Sequence, residues 1–277
     1  MFADRFVSLG QQIELQLASF GRFSNFALAT AGWTLRGAGS LGRLQLLLPQ
    51  LYAIGTRSLP VVMLVGGFVG AVMAVESFAQ FQAFGQEERL GGVINIAVVK
   101  QIGPVLAAVM IAGRVGGAVA AELGTMRVTE QLDALRVMGA DPVSYLVVPR
   151  VIACVIMLPI LTVFSDLLGI FGGYLVTVQG FGVDAGAYWR FSGDFVSFWD
   201  VFTGLFKSIV FGLAIGLISC YKGFNCSSGA AGVGRAATDA FVVSFIAIIV
   251  ANFFLAYLLN DVYAIIYGQS AGATLAE

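Results

Sequence analysis

Five long apolar segments decide what this sequence can fold into. They run from Ser58 to Val75, Val93 to Ala121, Val151 to Val178, Val201 to Tyr221 and Ala236 to Leu259. A helix rises about 1.5 Å per residue, so each segment is long enough to cross roughly 30 Å of hydrocarbon. The chain is 58% hydrophobic and 11% charged, unlike a water-soluble domain. The sequence therefore predicts an all-α, polytopic membrane protein with five transmembrane helices.

The N-terminal part, residues 1–57, has a mixed character. Leu, Phe and Ile recur there beside arginines, and Pro49 is expected to interrupt any long helix. This pattern predicts one or two amphipathic helices in the cytoplasmic interface of the membrane. We therefore divide the chain into an interfacial segment, 1–57, and a five-span domain, 58–277, with a cytoplasmic loop at 122–142.

The distribution of Lys and Arg sets the predicted orientation, because positive residues favour the cytoplasmic side of a membrane. With the N-terminus in the cytoplasm, the residues on the inside are Arg5, Arg22, Arg36, Arg43, Arg57, Arg127, Arg136, Arg150, Lys222 and Arg235. Only Arg89 and Arg190 then lie outside. The C-terminus is accordingly predicted on the opposite side of the membrane.

Residue types that catalysis and cofactor binding need are scarce. The chain has no histidine, which excludes imidazole bases and His-containing metal sites. Its three cysteines lack metal-binding spacing, and no GxxxxGK[ST] phosphate loop occurs. A net charge of −1 provides no basic field for nucleic acid. We expect no metal, no cofactor, no nucleic-acid partner and no enzymatic chemistry in this chain.

The loop at 122–142 carries signals for a short helix. Thr129 is expected to cap its N-terminus, Gly139 suits a left-handed stop, and Pro142 prevents continuation. Apolar residues recur at helical spacing between these signals, with charged residues on other faces. The loop is therefore predicted to form an amphipathic helix at the cytoplasmic ends of two spans. Either the bilayer surface or a motor protein would contact it there.

Small residues recur four positions apart within the apolar segments. The pairs include Gly66/Gly70, Gly113/Gly117, Gly169/Gly173 and Gly212/Gly216. Such pairs let helix backbones approach closely in lipid. They predict helix packing within the chain, with a dimer seam as the alternative for some pairs.

Several motifs surround the 122–142 loop. They are Ala112-Gly-Arg-Val-Gly-Gly, Ala121-Glu-Leu-Gly-Thr-Met-Arg-Val-Thr-Glu-Gln-Leu-Asp-Ala-Leu, Asp141-Pro142, Pro149-Arg150 and Leu158-Pro159. Together they resemble the MlaE-type permeases of ABC lipid transporters, from near Ser19 to about Leu259. The Glu-Leu-Gly-x-Met-Arg-x-Thr-Glu-Gln block is the most specific part of this resemblance.

The resemblance implies a permease subunit that moves phospholipid between the inner membrane and an outer membrane or envelope. It further implies a homodimer, an ABC ATPase subunit that binds ATP and Mg²⁺, an MCE-domain periplasmic lipid-binding protein and a STAS-domain protein. The ATPase is expected to dock on the loop. The ATPase-coupling residues are then Glu122, Arg127, Glu130, Asp133, Leu135 and Arg136.

Two lysines lie within apolar segments, about 10 Å from the predicted outer ends. An ionisable group near mid-bilayer costs about 2.5–3.5 kcal/mol and needs a partner or a wet cavity. Lys100 and Lys207 are predicted to bind a phospholipid phosphate, while Leu64, Phe68 and Val72 line the acyl path. The alternative is that both lysines extend their amines to the membrane interface.

The resemblance bears on the two lysines differently. Lys207-Ser208 matches a Lys-Ser pair that the family associates with its lipid cavity. Family members often carry Arg-Glu where this chain has Lys100-Gln101, so an acidic group is missing beside that cation. The resemblance therefore supports Lys207 more strongly than Lys100.

Other charges in the apolar segments leave alternatives open. Arg114 is expected to satisfy helix-end carbonyls or to pair with an acid such as Glu122 or Asp239. Asp166 has no evident partner, and together with Glu76 it would suit an ion- or proton-coupled secondary transporter. No inverted repeat is evident among the five segments, which disfavours that class. A non-transporting membrane scaffold is the third possibility.

Overall fold

The computed structural model describes residues 2–36 and 42–267, and this part of the chain is helical without a strand. The helices within it that are long and apolar enough to cross a membrane number five. Spans 1 to 5 are Gln45–Ala83, Glu87–Val128, Val143–Gly180, Phe198–Phe224 and Ala230–Ile266. The predicted all-α, five-span fold is confirmed. Each span extends beyond the predicted apolar segment because helical turns of mixed polarity continue it at both ends.

Spans 1 to 3 combine α-helices with π-helical turns, whereas spans 4 and 5 are each formed by a single α-helix. The α-helices are α1 Phe2–Arg36, α2 Gly42–Leu51, α3 Leu59–Ala83, α4 Leu90–Ala97, α5 Gly103–Ile111, α6 Gly117–Val128, α7 Gln131–Val137, α8 Val148–Tyr174, α9 Ala185–Phe195, α10 Phe198–Phe224 and α11 Ala230–Tyr267. The π-helical turns are Tyr52–Thr56, Val98–Ile102, Ala112–Gly116, Val143–Val147 and Leu175–Gly180. Helix α7 connects spans 2 and 3, and α9 connects spans 3 and 4. We call the corresponding ends of the bundle the α7 end and the α9 end.

The expectation that Pro49 interrupts a long helix is wrong. Pro49 lies inside α2, which leads through the Tyr52–Thr56 turn toward α3. Proline removes one intrahelical hydrogen bond, but membrane helices tolerate it when local π-type adjustments satisfy the freed groups. Span 1 therefore begins at Gln45. The division of the chain at residue 57 stays a prediction.

Glycine pairs bring the spans into close backbone contact. A Cβ atom at Gly66 or Gly70 would overlap the backbone of span 3 at Ser165 and Gly169. A Cβ atom at Gly212 would likewise overlap the backbone at Cys154. Lipid gives helices no hydrophobic reason to associate, so this close approach is what packs spans 1 and 4 against span 3. The interpretation as packing within the chain is confirmed for Gly66/Gly70 and for Gly212, whereas Gly113 and Gly117 make only ordinary van der Waals contacts.

Helix α9 is fixed to span 2 by buried hydrogen bonds. Asn95 Nδ2 donates to Ser192 Oγ at 2.7 Å, and the Tyr188 hydroxyl donates to Asn95 Oδ1 at 3.0 Å. Burial raises the pKa of Tyr188 to about 12, so the phenol stays protonated and keeps its role as donor. The α9 end is therefore held together by polar contacts between separate helices.

Helix α1 packs across the α7 end. The rings of Phe23 and Phe26 meet Tyr221 edge-on, with centroid distances of 5.3 and 5.6 Å. On another side of the same helix, Phe20 and Leu28 are exposed. The N-terminal helix therefore has one apolar side against the bundle and another apolar side facing outward.

Candidate functional site

A cavity of about 250 Å³ lies between spans 2, 4 and 5. Its lining residues are Ile96, Ala97, Lys100, Gln101, Thr203, Lys207, Ala256 and Asn260. We call it the lysine cavity. The structure thus brings both predicted headgroup lysines, from two different spans, to one cavity.

Lys207 is buried, with only 1% of its surface exposed. Its ammonium group donates to the backbone carbonyl of Lys100 at 3.3 Å and to Oε1 of Gln101. Neither acceptor is a carboxylate, so these contacts offset the charge of Lys207 with dipoles only. The alternative in which Lys207 extends its amine to the membrane interface is wrong, because the side chain turns inward against span 2.

The Val98–Ile102 turn explains how span 2 reaches Lys207. A π-helical turn interrupts the regular hydrogen-bond ladder and frees backbone carbonyls for other donors. The Lys100 carbonyl is one such acceptor, and Gln101 lies next to it on the same turn. Pro104 follows directly and lacks an N–H group to complete the ladder. The wall of the lysine cavity is therefore built by a local departure from α-helical geometry.

Lys100 forms an ion pair with Asp200, with 3.0 Å between Nζ and Oδ1. Asp200 also accepts hydrogen bonds from Ser197 at the start of span 4, where the two residues form a capping box. Hydropathy alone does not single out Asp200, and it was not among the predicted site residues. The Ser-x-x-Asp spacing before an apolar run was the available signal.

The apolar residues predicted for the acyl path lie elsewhere. Leu64 and Phe68 line a separate cavity of about 400 Å³ between span 1 and span 3. Val72 lies two turns beyond Leu64 on the same face of α3 and is exposed, as they are. The structure therefore places these residues on an outward stripe of span 1 and does not bring them into the lysine cavity.

The loop helix forms, but its predicted cap is wrong. Helix α7 begins at Gln131, and its capping position is Glu130, in the left-handed conformation with φ of 59°. Thr129 Oγ1 instead donates to the Thr125 carbonyl at 2.9 Å, one turn back in α6. This back-bonding competes with capping for threonine hydroxyls. The predicted left-handed stop at Gly139 is confirmed by its φ of 78°.

Three of the predicted coupling residues form one exposed ion-pair cluster. Asp133 lies 3.2 Å from Arg127 of α6 and 2.8 Å from Arg136 of α7. Glu130 is exposed at the capping position of α7, and Leu135 is half-buried on α7. The cluster ties the short helix to the end of span 2.

Glu122 and Arg114 have partners other than those expected. Glu122 pairs with the buried guanidinium of Arg150 at 2.9 Å, which joins span 2 to span 3. Arg114 donates to Ser58 Oγ of span 1. The suggested pairing of Arg114 with Glu122 or Asp239 is wrong, because both acids are engaged by cations closer in the fold. Asp239 pairs with Lys222 at 3.4 Å.

Asp166 lies within span 3 and presses against Gly103 of span 2. Its Oδ1 atom is buried and has no hydrogen-bond partner in the described residues. Glu76, its suggested companion, is exposed near the α9 end of span 1. The structure therefore buries Asp166 between spans 2 and 3, apart from Glu76, which lies on the surface.

Comparison with known proteins agrees with this architecture. The model of the permease MlaE family matches residues 47–258, which include the lysine cavity residues of spans 2 and 4 and the whole α7 loop. The chain belongs to the MlaE permease family. A probable ABC transporter permease of Synechocystis is 45% identical over 76% of this chain and 81% of its own length. One of Rickettsia felis is 42% identical over 92% of this chain and 96% of its own length.

A third relative carries a more specific name. The intermembrane phospholipid transport system permease protein MlaE of Haemophilus influenzae is 34% identical over 83% of this chain and 90% of its own length. Membership in the family makes this chain a transmembrane permease subunit, and the naming of its relatives as ABC transporter permeases implies an ATPase partner. The five spans and the family together indicate a multi-pass protein of the inner membrane.

Proposed function

We propose that this chain moves phospholipid between the inner membrane and an outer membrane or envelope, driven by a partner ATPase. It would act as a homodimer with an MCE-domain periplasmic protein and a STAS-domain protein, its N-terminus in the cytoplasm and its C-terminus in the periplasm. The observation that carries this proposal is the buried Lys207 ammonium in a cavity between three spans. The name of the Haemophilus relative supports phospholipid as the substrate.

The charges of the lysine cavity favour an anionic ligand. Lys100 and Lys207 contribute two positive charges and Asp200 one negative charge, while Gln101 is neutral, which leaves one positive charge. A buried charge without a counterion is costly, so a ligand that brings a negative charge gains from it. A phospholipid phosphate matches this need, and an ammonium is a good point-charge partner for it.

The acyl chains need an apolar surface beside the headgroup. Leu64, Phe68 and Val72 offer an apolar surface on the exposed face of α3, which within one chain is separate from the lysine cavity. In the proposed homodimer this face would lie against the second copy or against lipid, so that two chains complete a path that one chain leaves open. Lipid-facing apolar surface of this kind needs no polar partner.

Force would reach the spans through the α7 loop. Val137 at the end of α7 and Met138 directly after it have 89% and 72% of their surfaces exposed, which suits them to dock on the ATPase. Glu122, Arg127, Glu130, Asp133, Leu135 and Arg136 would support that contact. The Glu122–Arg150 ion pair would pass a displacement of the loop to span 3. ATP and Mg²⁺ would be bound by the ATPase, with no cofactor in this chain.

Phospholipid co-purification tests the headgroup site. Lys207→Ala and Lys207→Glu should each lower the phospholipid retained by the purified complex, the second by at least tenfold because it reverses the charge. Lys222→Ala is the matched control, since Lys222 lies on the same span but pairs with Asp239 outside the cavity. Undiminished phospholipid in both Lys207 variants contradicts the headgroup assignment.

Ion- or proton-coupled secondary transport is the second candidate function. The unpartnered Asp166 Oδ1 is the observation that favours it. It predicts gradient-driven flux in vesicles that contain this chain alone, abolished by Asp166→Asn. ATP-dependent lipid transfer that survives Asp166→Asn excludes it, and a complex with neither activity would indicate a scaffold.

A further inference from the structure

A second polar cavity, of about 290 Å³, lies at the α7 end between α1, α7 and the last turns of span 4. Its main lining residues are Arg22, Phe26, Arg127, Leu132, Arg136 and Tyr221. We call it the arginine pocket. Each of the three arginines comes from a different helix, α1, α6 or α7, so the pocket exists only because these helices meet.

The arginine pocket carries excess positive charge. Arg127 and Arg136 share the carboxylate of Asp133. Arg22 donates to the neutral hydroxyl of Ser19 at 2.8 Å. In the described part of the chain Asp133 is the carboxylate that pairs with these arginines, so three cations and one anion leave two positive charges. Guanidinium groups bind phosphate oxygens through paired hydrogen bonds, which makes phosphate the matching ligand.

The floor of the pocket is apolar. Leu132 is buried, and Phe26 lies against Tyr221 with 5.6 Å between ring centroids. A cationic rim above an aromatic and aliphatic floor fits a ligand with a charged head and an apolar body. Inorganic phosphate alone would leave this floor without a complement.

The pocket borders the proposed ATPase contact at Arg127 and Arg136, but its other lining residues lie on a different side of the loop from Val137 and Met138. Leu132 and Arg136 are one helical turn apart and line the pocket, whereas Val137 and Met138 are exposed on other faces. Likewise Arg22 and Phe26 are one turn apart on α1 and face the pocket. The outward apolar side of α1, with Phe20 and Leu28, is typical of a helix lying in a membrane interface. A lipid beside α1 therefore reaches the pocket from the side of Arg22 and Phe26, away from the exposed Val137 and Met138.

We propose that the arginine pocket binds the headgroup phosphate of an anionic phospholipid from the leaflet at the α7 end. The bound lipid links the interfacial helix α1 to the coupling helix α7, and it is distinct from the lipid in the lysine cavity. The site would make the coupling loop sensitive to the anionic lipid content of its own membrane.

The test measures binding of phosphatidylglycerol by the purified, delipidated complex after it is placed in nanodiscs made of phosphatidylglycerol and phosphatidylcholine. Binding is compared with that in nanodiscs of phosphatidylcholine alone. All variants are made in a protein that already carries Lys207→Ala. This substitution removes the proposed transport site, so that lipid binding at the arginine pocket is measured separately. Arg22→Gln and Arg136→Gln should each lower affinity for phosphatidylglycerol about fivefold. Arg36→Gln, on the same helix but outside the pocket, should leave it unchanged. Arg22→Lys should retain most of the binding, which controls for loss of folding.

Three results would overturn the proposal. Equal losses of phosphatidylglycerol affinity in Arg22→Gln and Arg36→Gln would mean that the lipid is attracted non-specifically to the positive charge of α1. Full competition by inorganic phosphate would mean a free-anion site. Unchanged phosphatidylglycerol binding together with loss of the ATPase from Arg22→Gln would mean that a carboxylate of the partner occupies the pocket.

Discussion

The lysine cavity and the arginine pocket both collect positive charge, but they do so in opposite surroundings. In the lysine cavity one ammonium is fully buried and faces neutral acceptors. In the arginine pocket the guanidinium groups of Arg127 and Arg136 are about half exposed and share one acid. An uncompensated positive charge costs more free energy in the lysine cavity than in the arginine pocket, because solvent screens exposed ions.

This difference teaches where to look for the transported substrate. A protein gains no stability from a buried, unpaired ammonium, so Lys207 is best explained by a ligand that completes it. Exposed arginines need no such explanation, and only their convergence from three helices over an apolar floor indicates a ligand. The two regions therefore respond differently to the same kind of substitution.

Gln101→Glu tests the comparison with the largest expected effect. A carboxylate at this position would accept the hydrogen bond of Lys207 and reduce the charge of the lysine cavity from one positive to zero. Charge-assisted hydrogen bonds contribute about 1.5–3 kcal/mol, so retention of anionic phospholipid should fall at least tenfold. Thermal stability should stay equal or rise. The measurement is lipid content per purified complex, followed by a thermal melt.

Gln82→Glu is the matched control for Gln101→Glu, because Gln82 is exposed near the α9 end of span 1. The control should retain normal lipid. If Gln101→Glu also retained normal lipid, the charge of the cavity would not select the ligand, and the contrast with the arginine pocket would fail.

Hydropathy and cap signals predicted much of the fold and part of the lysine cavity. Five spans, the loop helix and the Gly139 stop follow from patterns within single segments. The contact between Lys207 and Gln101 does not, because it depends on a π-helical turn that no local preference announces. Thr129 was misassigned because a threonine hydroxyl is equally able to bond back to the preceding turn.

The partners of charged residues were the least predictable feature. Arg114 of span 2 donates to Ser58 of span 1, and Arg150 of span 3 pairs with Glu122 of span 2. Both contacts depend on how the three spans pack. The sequence identifies which residues need a partner in lipid, but the choice among partners is made by packing. For the same reason, the sequence could not show that Leu64 and Phe68 line a different cavity from the two lysines.

Glu122→Gln should have an intermediate effect. It should lower the free energy of unfolding and leave the amount of retained phospholipid unchanged. It leaves the buried Arg150 guanidinium without its carboxylate, although a long contact to the Leu146 carbonyl remains at 3.4 Å. The glutamate is more than half exposed, which reduces the loss to about 1–2 kcal/mol of unfolding free energy. Thermal or chemical unfolding in detergent measures it. Glu130→Gln, exposed on the same loop, should be neutral, and an equal loss there would show that loop charge in general matters.

Asp133→Asn should have the smallest effect on stability and a reversed effect on binding. The two ion pairs it removes are exposed, so the unfolding free energy should change by less than about 1 kcal/mol. The arginine pocket gains one unit of net positive charge, so affinity for phosphatidylglycerol should rise about threefold at low salt and return toward that of the parent at high salt. A fall in affinity would mean that Asp133 orients Arg127 and Arg136 for the ligand. The acid would then preorganise the pocket as well as moderate its charge.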